Sequence, residues 1–169
     1  PDYRNIIDKY SCNGERIVVF GLANEQITGE AVTKAITPMA FIILENEIRE
    51  TAKETFEYFK KQGVAIKVIS GDNPLTASKV AIRAGIDDAT YYIDATTLKT
   101  DKDIADAVQK YTVFGRVIPE QKKKIIEAFK MAGNVVAITG DGFNDVLALK
   151  CADCSVAMAS GSEAASNAA

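Results

Sequence analysis

Two hydrophobic patterns take turns along this chain. Short continuous runs of β-branched and other apolar residues are each followed by a longer stretch in which apolar positions recur three and four apart. The first pattern predicts strands and the second amphipathic helices. The predicted strands are Arg16 to Ala23, Met39 to Leu44, Val64 to Ile69, Tyr91 to Ile93, Tyr111 to Phe114, Val135 to Ile138 and Ser155 to Met158. Met39 to Leu44 and Val135 to Ile138 carry no polar residue and read as buried strands, the second fully buried within a parallel sheet.

Helix signals fall between these runs. Tyr3, Ile6, Ile7 and Tyr10 fit a short helix that stops near Asn13-Gly14, and Ala52, Phe56 and Phe59 share one face of Arg49 to Gln62, closed by Gly63. Leu75 to Ala84 is framed by Asn73 as cap, Pro74 at the first helical position and Gly85 as stop. Further helices are predicted around Ile104, Ala105 and Val108, from Pro119 to before Gly133, over Val146 to Ala152, and after Ser160-Gly161-Ser162-Glu163. The alternation predicts a Rossmann-like α/β fold, a parallel sheet with helices on both faces. Residues 24 to 38 are polar, contain Thr28-Gly29 and Thr37-Pro38, and read as a connector. The expected division is a small N-terminal unit, residues 1–35, and a main domain, residues 36–169.

Candidate chemistry lies where predicted strands end. Thr139-Gly140-Asp141-Gly142-Phe143-Asn144-Asp145 follows the Val135 run, so its polar side chains fall outside the carboxyl end of a strand, where open α/β sheets bind ligands. Asp141 and Asp145 cannot share a poorly solvated crevice without a raised pKa or a recruited cation. Magnesium suits them, and Gly140 and Gly142 let backbone amides approach a phosphate. The same residue types also build ordinary turns. A second junction, Ser70-Gly71-Asp72-Asn73-Pro74, repeats the order of hydroxyl, glycine and aspartate. Ser70 can donate to a phosphate oxygen, Gly71 exposes its amide, and Asp72 can order a nucleotide hydroxyl or a basic side chain. Helix capping is the other reading of Asp-Asn-Pro. Lys122, in the first turn of the Pro119 helix, can place an ammonium on a phosphoryl oxygen; Lys123 and Lys124 read as a solvated face.

Composition narrows the class. The 169 residues are 47% hydrophobic and 25% charged, enough for one compact domain with a core. A net charge of -3, with lysines interleaved among acids, argues against a nucleic-acid partner. There is no run of eighteen apolar residues and no signal-peptide pattern. The three cysteines suit a reducing compartment. Cys151 and Cys154 have C-x-x-C spacing, but with no histidine and only Cys12 besides, zinc lacks a full ligand set.

Taken together, the strings resemble the phosphorylation domain of P-type cation-transporting ATPases, a branch of the haloacid dehalogenase superfamily. Residues 139–150, TGDGFNDVLALK, are close to that family's TGDGVNDAPALK; Ser70 to Pro74 resembles its TGDN loop, and residues 114–122, FGRVIPEQK, its phosphoryl-contacting segment. Residues 10–23 are similar to the closing helix and strand of the family's nucleotide-binding domain. The resemblance implies a cytoplasmic portion of a membrane-embedded pump, bacterial in type, that uses Mg2+ and ATP and forms an aspartyl phosphate. It implies that Asp141 coordinates magnesium with Asp145 beside it, that Asn144, Ser70 and Gly71 contact the phosphoryl group, and that Lys122 neutralises its charge. Asp72 and Arg116 would lie near the ribose. The implied partners are the nucleotide-binding, actuator and transmembrane portions of the same parent polypeptide.

The sequence departs from the family at Ser70, where threonine is usual, at Phe143, and at Val146-Leu147, where the family has Ala-Pro; Asn46-Glu47 stands for Asp-Pro. The family's nucleophile string, DKTGT, does not occur. The expectation is therefore an incomplete phosphorylation domain without turnover of its own, lacking the strand that the superfamily places between the Ser70 and Thr139 strands. Two inner edges would then face a gap. Two other classes remain at this stage, a soluble phosphohydrolase of the same superfamily and a non-catalytic nucleotide- or cation-binding module.

Overall fold

The computed structural model describes residues 3–11, 15–23, 36–45 and 47–169. Residues 24–35 of the expected connector, with Thr28-Gly29, and Asn46 lie outside the described residues, while Thr37-Pro38 falls within a strand. Helix α1 (Arg4–Ser11) precedes β1 (Arg16–Ala23), which pairs antiparallel with β2 (Ile36–Leu44). Tyr3, just before α1, packs its ring 5.3 Å from that of Phe41.

The β1–β2 pairing corrects one expectation. Met39 to Leu44 was predicted as a buried strand, whereas it belongs to a two-stranded ribbon that leaves Met39 62% and Phe20 63% exposed. The strand also starts earlier, at Ile36, and includes Pro38. Proline is tolerated there because it sits opposite Gly21 beside a bulge, where the ladder is already irregular.

The packed part of the molecule is a three-stranded parallel sheet in the order β3-β5-β4, built from β3 (Val68–Ile69), β4 (Tyr92–Asp94) and β5 (Val113–Gly115). Its central strand has neighbours on both edges, and Val113 and Phe114 are wholly buried. Successive side chains of a strand point to opposite faces. Accordingly Phe114 joins Ala95, Leu98, Ile104, Val108 and Ile125 in one core, while Val113 joins Ala77, Ala81 and Ala89 in another. Helices therefore cover both faces, α3 (Pro74–Ala84) one of them and α4 (Asp101–Lys110) with α5 (Pro119–Met131) the other.

Local sequence explains the helix ends. The Asn73 side chain accepts from the Leu75 N–H at 2.9 Å, Pro74 opens α3, and Gly85 closes it in the left-handed conformation. Thr100 and Asp103 form a reciprocal capping box on α4. Helix α2 (Ala52–Lys61) lies within the predicted span. Strand β3 is shorter than the predicted Val64 to Ile69, because β5 offers it only two partners, Val113 and Phe114.

The remaining strands, β6 (Ala137–Gly140) and β7 (Cys154–Ala157), pair in parallel with each other and with no other strand among the described residues. Short helices α6 (Val146–Leu149) and α7 (Glu163–Ser166) complete this part. Here the second correction falls. Val135 to Ile138 was expected to be a fully buried strand; β6 begins two residues later and Val135 is 89% exposed. The run is apolar enough for burial, but one edge has no neighbour. Strands β3 and β6 do not pair, so among the described residues each keeps an open edge and the parallel sheet is split in two.

Candidate active site

Asp145 is the best-anchored polar side chain of the Thr139–Asp145 loop. It stands in a short 3-10 turn (Phe143–Asp145) just before α6, which turns its carboxylate back toward the end of β6. Oδ1 accepts from Lys122 Nζ at 2.6 Å, and Oδ2 accepts from the backbone N–H of Gly142 at 3.1 Å and of Asp141 at 3.3 Å. Both side chains of the ion pair are largely buried, 14% and 12% exposed. Burial pushes the Asp145 carboxyl upward, but the Lys122 ammonium and the two amides outweigh it and hold the pKa below the ordinary carboxylate value. Gly140 is required here: a Cβ at that position would lie 2.7 Å from Asp145 Cβ.

Asp141 differs from its neighbour. It is exposed, and its carboxylate takes no hydrogen bond among the described residues. Its backbone is held instead, the carbonyl accepting from the Ser162 N–H at 2.7 Å, while Gly161 fits where a Cβ would meet that carbonyl oxygen at 2.7 Å. Asn144 is exposed beside it.

The second loop lies at the carboxyl end of β3. Ser70 Oγ accepts from the Asp72 N–H at 3.1 Å, which leaves the hydroxyl proton free to donate outward. Gly71 is exposed, and its N–H takes no protein acceptor among the described residues. The Ser70 carbonyl accepts from Val117 N–H at 3.0 Å, and the Asp72 carbonyl from Arg116 N–H at 2.7 Å. Arg116 has φ 54°, the left-handed region that disfavours a side chain. Its guanidinium donates to Asp94 Oδ2 at 2.7 Å. Behind Ser70 and Asp72 a cavity of about 250 Å³ opens between α2, β3 and α3, lined by apolar residues such as Leu44, Phe56 and Val80, with Arg16 at its polar side. Arg16 approaches Asp72 at 3.9 Å.

The stretch from Phe114 to Lys122 ties the two loops together. At one end it bonds the Ser70 loop through Val117 and Arg116; at the other, Lys122 grips Asp145. The structure thus joins Ser70, Gly71, Asp72 and Arg116 in one group, and Lys122, Asp141 and Asp145 in another. Sequence reasoning had passed over Asp94, Gly161 and Ser162. Asp94 had a signal, an acid at a predicted strand end followed by Thr96-Thr97, and Ser160-Gly161-Ser162 was visible only as a helix cap.

Which residues fit a magnesium ion follows from these contacts. Both oxygens of Asp145 are engaged, and among the described residues no group of three acidic, cysteine or histidine side chains is gathered. Magnesium commonly binds one or two carboxylates and completes its shell with water and phosphate oxygens. The free carboxylate of Asp141 fits that role; Asp145 fits it only by releasing Lys122.

Helix-covered parallel strands, glycine loops at their ends and a largely buried lysine–aspartate pair make this an α/β domain with its polar loops at the carboxyl ends of strands. The chain belongs to the haloacid dehalogenase-like hydrolases, whose family pattern matches residues 14–153. Over most of its length it also matches P-type cation-transporting ATPases. It is 41% identical over 166 residues to a probable cation-transporting ATPase, exp7, of Streptococcus pneumoniae, covering 97% of this chain and 21% of that protein. It is 42% identical over 158 residues to the calcium-transporting ATPase CtpE of Mycobacterium bovis, covering 93% and 20%. Among solved structures, the catalytic domain of the CPx-ATPase CopB-B is similar at 29% identity and a TM-score of 0.59, over 80% of this chain and 46% of that one. The chain therefore spans about a fifth of the length of the curated relatives it matches. Among the described residues no helix is long and apolar enough to cross a membrane.

Proposed function

We propose that these residues are the phosphoryl-transfer portion of an ATP-driven cation pump that works through an aspartyl phosphate. The observation that carries this reading is the division of labour in the Thr139–Asp145 loop: Asp145 is fully engaged in holding Lys122 and the loop amides, which leaves Asp141 exposed and uncommitted.

In this reading Asp141 holds magnesium, which supplies positive charge to the oxygens of the transferring group. Lys122 has one N–H on Asp145 and two left for a phosphoryl oxygen. The Ser70 hydroxyl, the Gly71 N–H and the Asn144 amide orient the group, and Asp72 with Arg116 meets the nucleotide. Asp145 acts through Lys122 and the loop rather than as a first ligand. The acceptor carboxylate comes from elsewhere in the parent polypeptide, on a strand seated between β3 and β6, which do not pair with each other among the described residues. These 169 residues alone then bind and do not turn over. Nucleotide-binding, actuator and membrane portions of the parent are the partners.

The test is phosphoenzyme formation from ATP in the parent polypeptide. Asp141→Asn should lower its rate at least a hundredfold, the scale of losing a principal charge-stabilising group, with thermal stability held within a few degrees. A variant that forms phosphoenzyme at an undiminished rate refutes the role given to Asp141.

A further inference from the structure

Arg116 is held more firmly than a half-exposed arginine needs to be. Its backbone is strained into the left-handed region, its N–H is bonded to the Asp72 carbonyl, and its guanidinium meets Asp94. Asp94 is the last residue of β4 and sits opposite Gly115 of β5, so it stands beside Arg116 at the carboxyl edge of the same sheet. Its own orientation is settled before Arg116 arrives. Oδ1 accepts from the Thr96 N–H at 3.0 Å and from the Thr96 hydroxyl at 2.6 Å, while the Thr97 hydroxyl donates to the Asp94 carbonyl at 2.7 Å. That leaves Oδ2, and it takes Arg116 at 2.7 Å.

A free arginine at a sheet edge samples many rotamers, and ordering it costs affinity whenever a ligand binds. One fixed by a locked carboxylate presents its remaining N–H donors in a set direction. The Arg116 backbone is tied in addition to the Asp72 loop, its N–H donating to the Asp72 carbonyl.

We propose that Asp94 is a positioning residue for nucleotide recognition: held by Thr96, it fixes the Arg116 guanidinium at the carboxyl edge of β5 for the nucleoside portion of the phosphoryl donor. This rests on the reading that Arg116 meets the nucleotide. The bland account is an exposed ion pair, which contributes little to anything.

The experiment separates the two accounts by changing the donor. In the parent polypeptide, steady-state hydrolysis is measured with ATP and with acetyl phosphate, a phosphoryl donor that has no nucleoside. Asp94→Asn keeps the size of the side chain and turns an amide N–H₂ toward the guanidinium when its oxygen stays with Thr96. The expected result is a rise of about tenfold in the ratio of the KM for ATP to the KM for acetyl phosphate. Arg116→Ala should raise the same ratio at least as much, and the double variant no further than Arg116→Ala alone, as expected when one residue acts through the other. A loss of fold would lower the maximal rate with both donors and leave the ratio of KM values alone. If Arg116→Ala raises the ratio and Asp94→Asn does not, or if the two effects simply add, the positioning role is overturned while the nucleotide reading stands. If Arg116→Ala leaves the ratio unchanged, that reading fails and the role of Asp94 fails with it.

Discussion

Strands β5 and β6 are both short, parallel and followed at once by a loop that carries site residues, yet they are held by different forces. β5 lies between β3 and β4 under helices on both faces, with Val113 and Phe114 wholly buried. Among the described residues β6 has a single neighbour, β7, and its approach is exposed at Val135. Ala148 and Leu149 of α6 are buried beside it, and polar contacts add to that smaller core: Val136 N–H donates to Asp153 Oδ2 at 2.9 Å, Lys130 holds Asp153 Oδ1 at 2.9 Å, and Lys122 with two amides fixes Asp145. One half of the site stands on an apolar platform on both faces of its strand; the other joins a smaller apolar base to charged contacts.

Emptying the platform should have the largest effect. Phe114→Ala removes a buried ring that packs edge-on against Phe129 at 6.4 Å, and should cost about 3–5 kcal/mol in denaturant unfolding. A cost below about 1 kcal/mol would mean that β5 is not the platform described.

Next comes the polar anchor. Lys122→Met leaves the Asp145 carboxylate largely buried with only backbone donors, and should cost about 2–3 kcal/mol, below the range for a fully buried pair. It should also change the acid response. Burial works against ionised Asp145, but Lys122 and the amides hold its pKa below the ordinary 3.8. Its contribution is therefore complete above about pH 4 and is lost as pH falls through the depressed folded value. Without Lys122 the folded pKa rises, so the loss begins at higher pH; unfolding curves collected from pH 7 down to pH 3 check both the size and the shift. An unchanged acid profile would remove the distinction between the two halves.

The smallest effect is expected at the open edge. Val135→Thr should change stability by no more than about 0.5 kcal/mol, since an 89% exposed side chain has little to lose.

Much of this architecture was legible in the residues. The order of strands and helices, the cap at Asn73 with Pro74 and Gly85, and the two glycine–aspartate loops all follow from local chemistry, and the structure has them where the pattern placed them. Strand identity in Met39 to Leu44 was legible too, but its partner was not, because an apolar run is equally suited to a parallel core or to an antiparallel ribbon. The same holds for Val135 to Ile138, whose composition says that it can be buried and not whether a neighbour is there to bury it. Within the site, sequence spacing drew Asp141 and Asp145 together as one pair of acids, whereas their surroundings separate them into an engaged and a free carboxylate.

Local features follow from the residues alone: helix ends fixed by side chains two or three residues away, turns that need glycine, and hydroxyl–glycine–aspartate loops placed at strand ends. Only the tertiary structure decided what depends on distant residues. It paired β1 with β2, split the parallel sheet between β3 and β6, gave Lys122 to Asp145 across 23 positions and Arg116 to Asp94 across 22. The physical reason is that hydrogen bonding within a turn or helix is set by neighbours along the chain, while burial and the pairing of charges are set by neighbours in space.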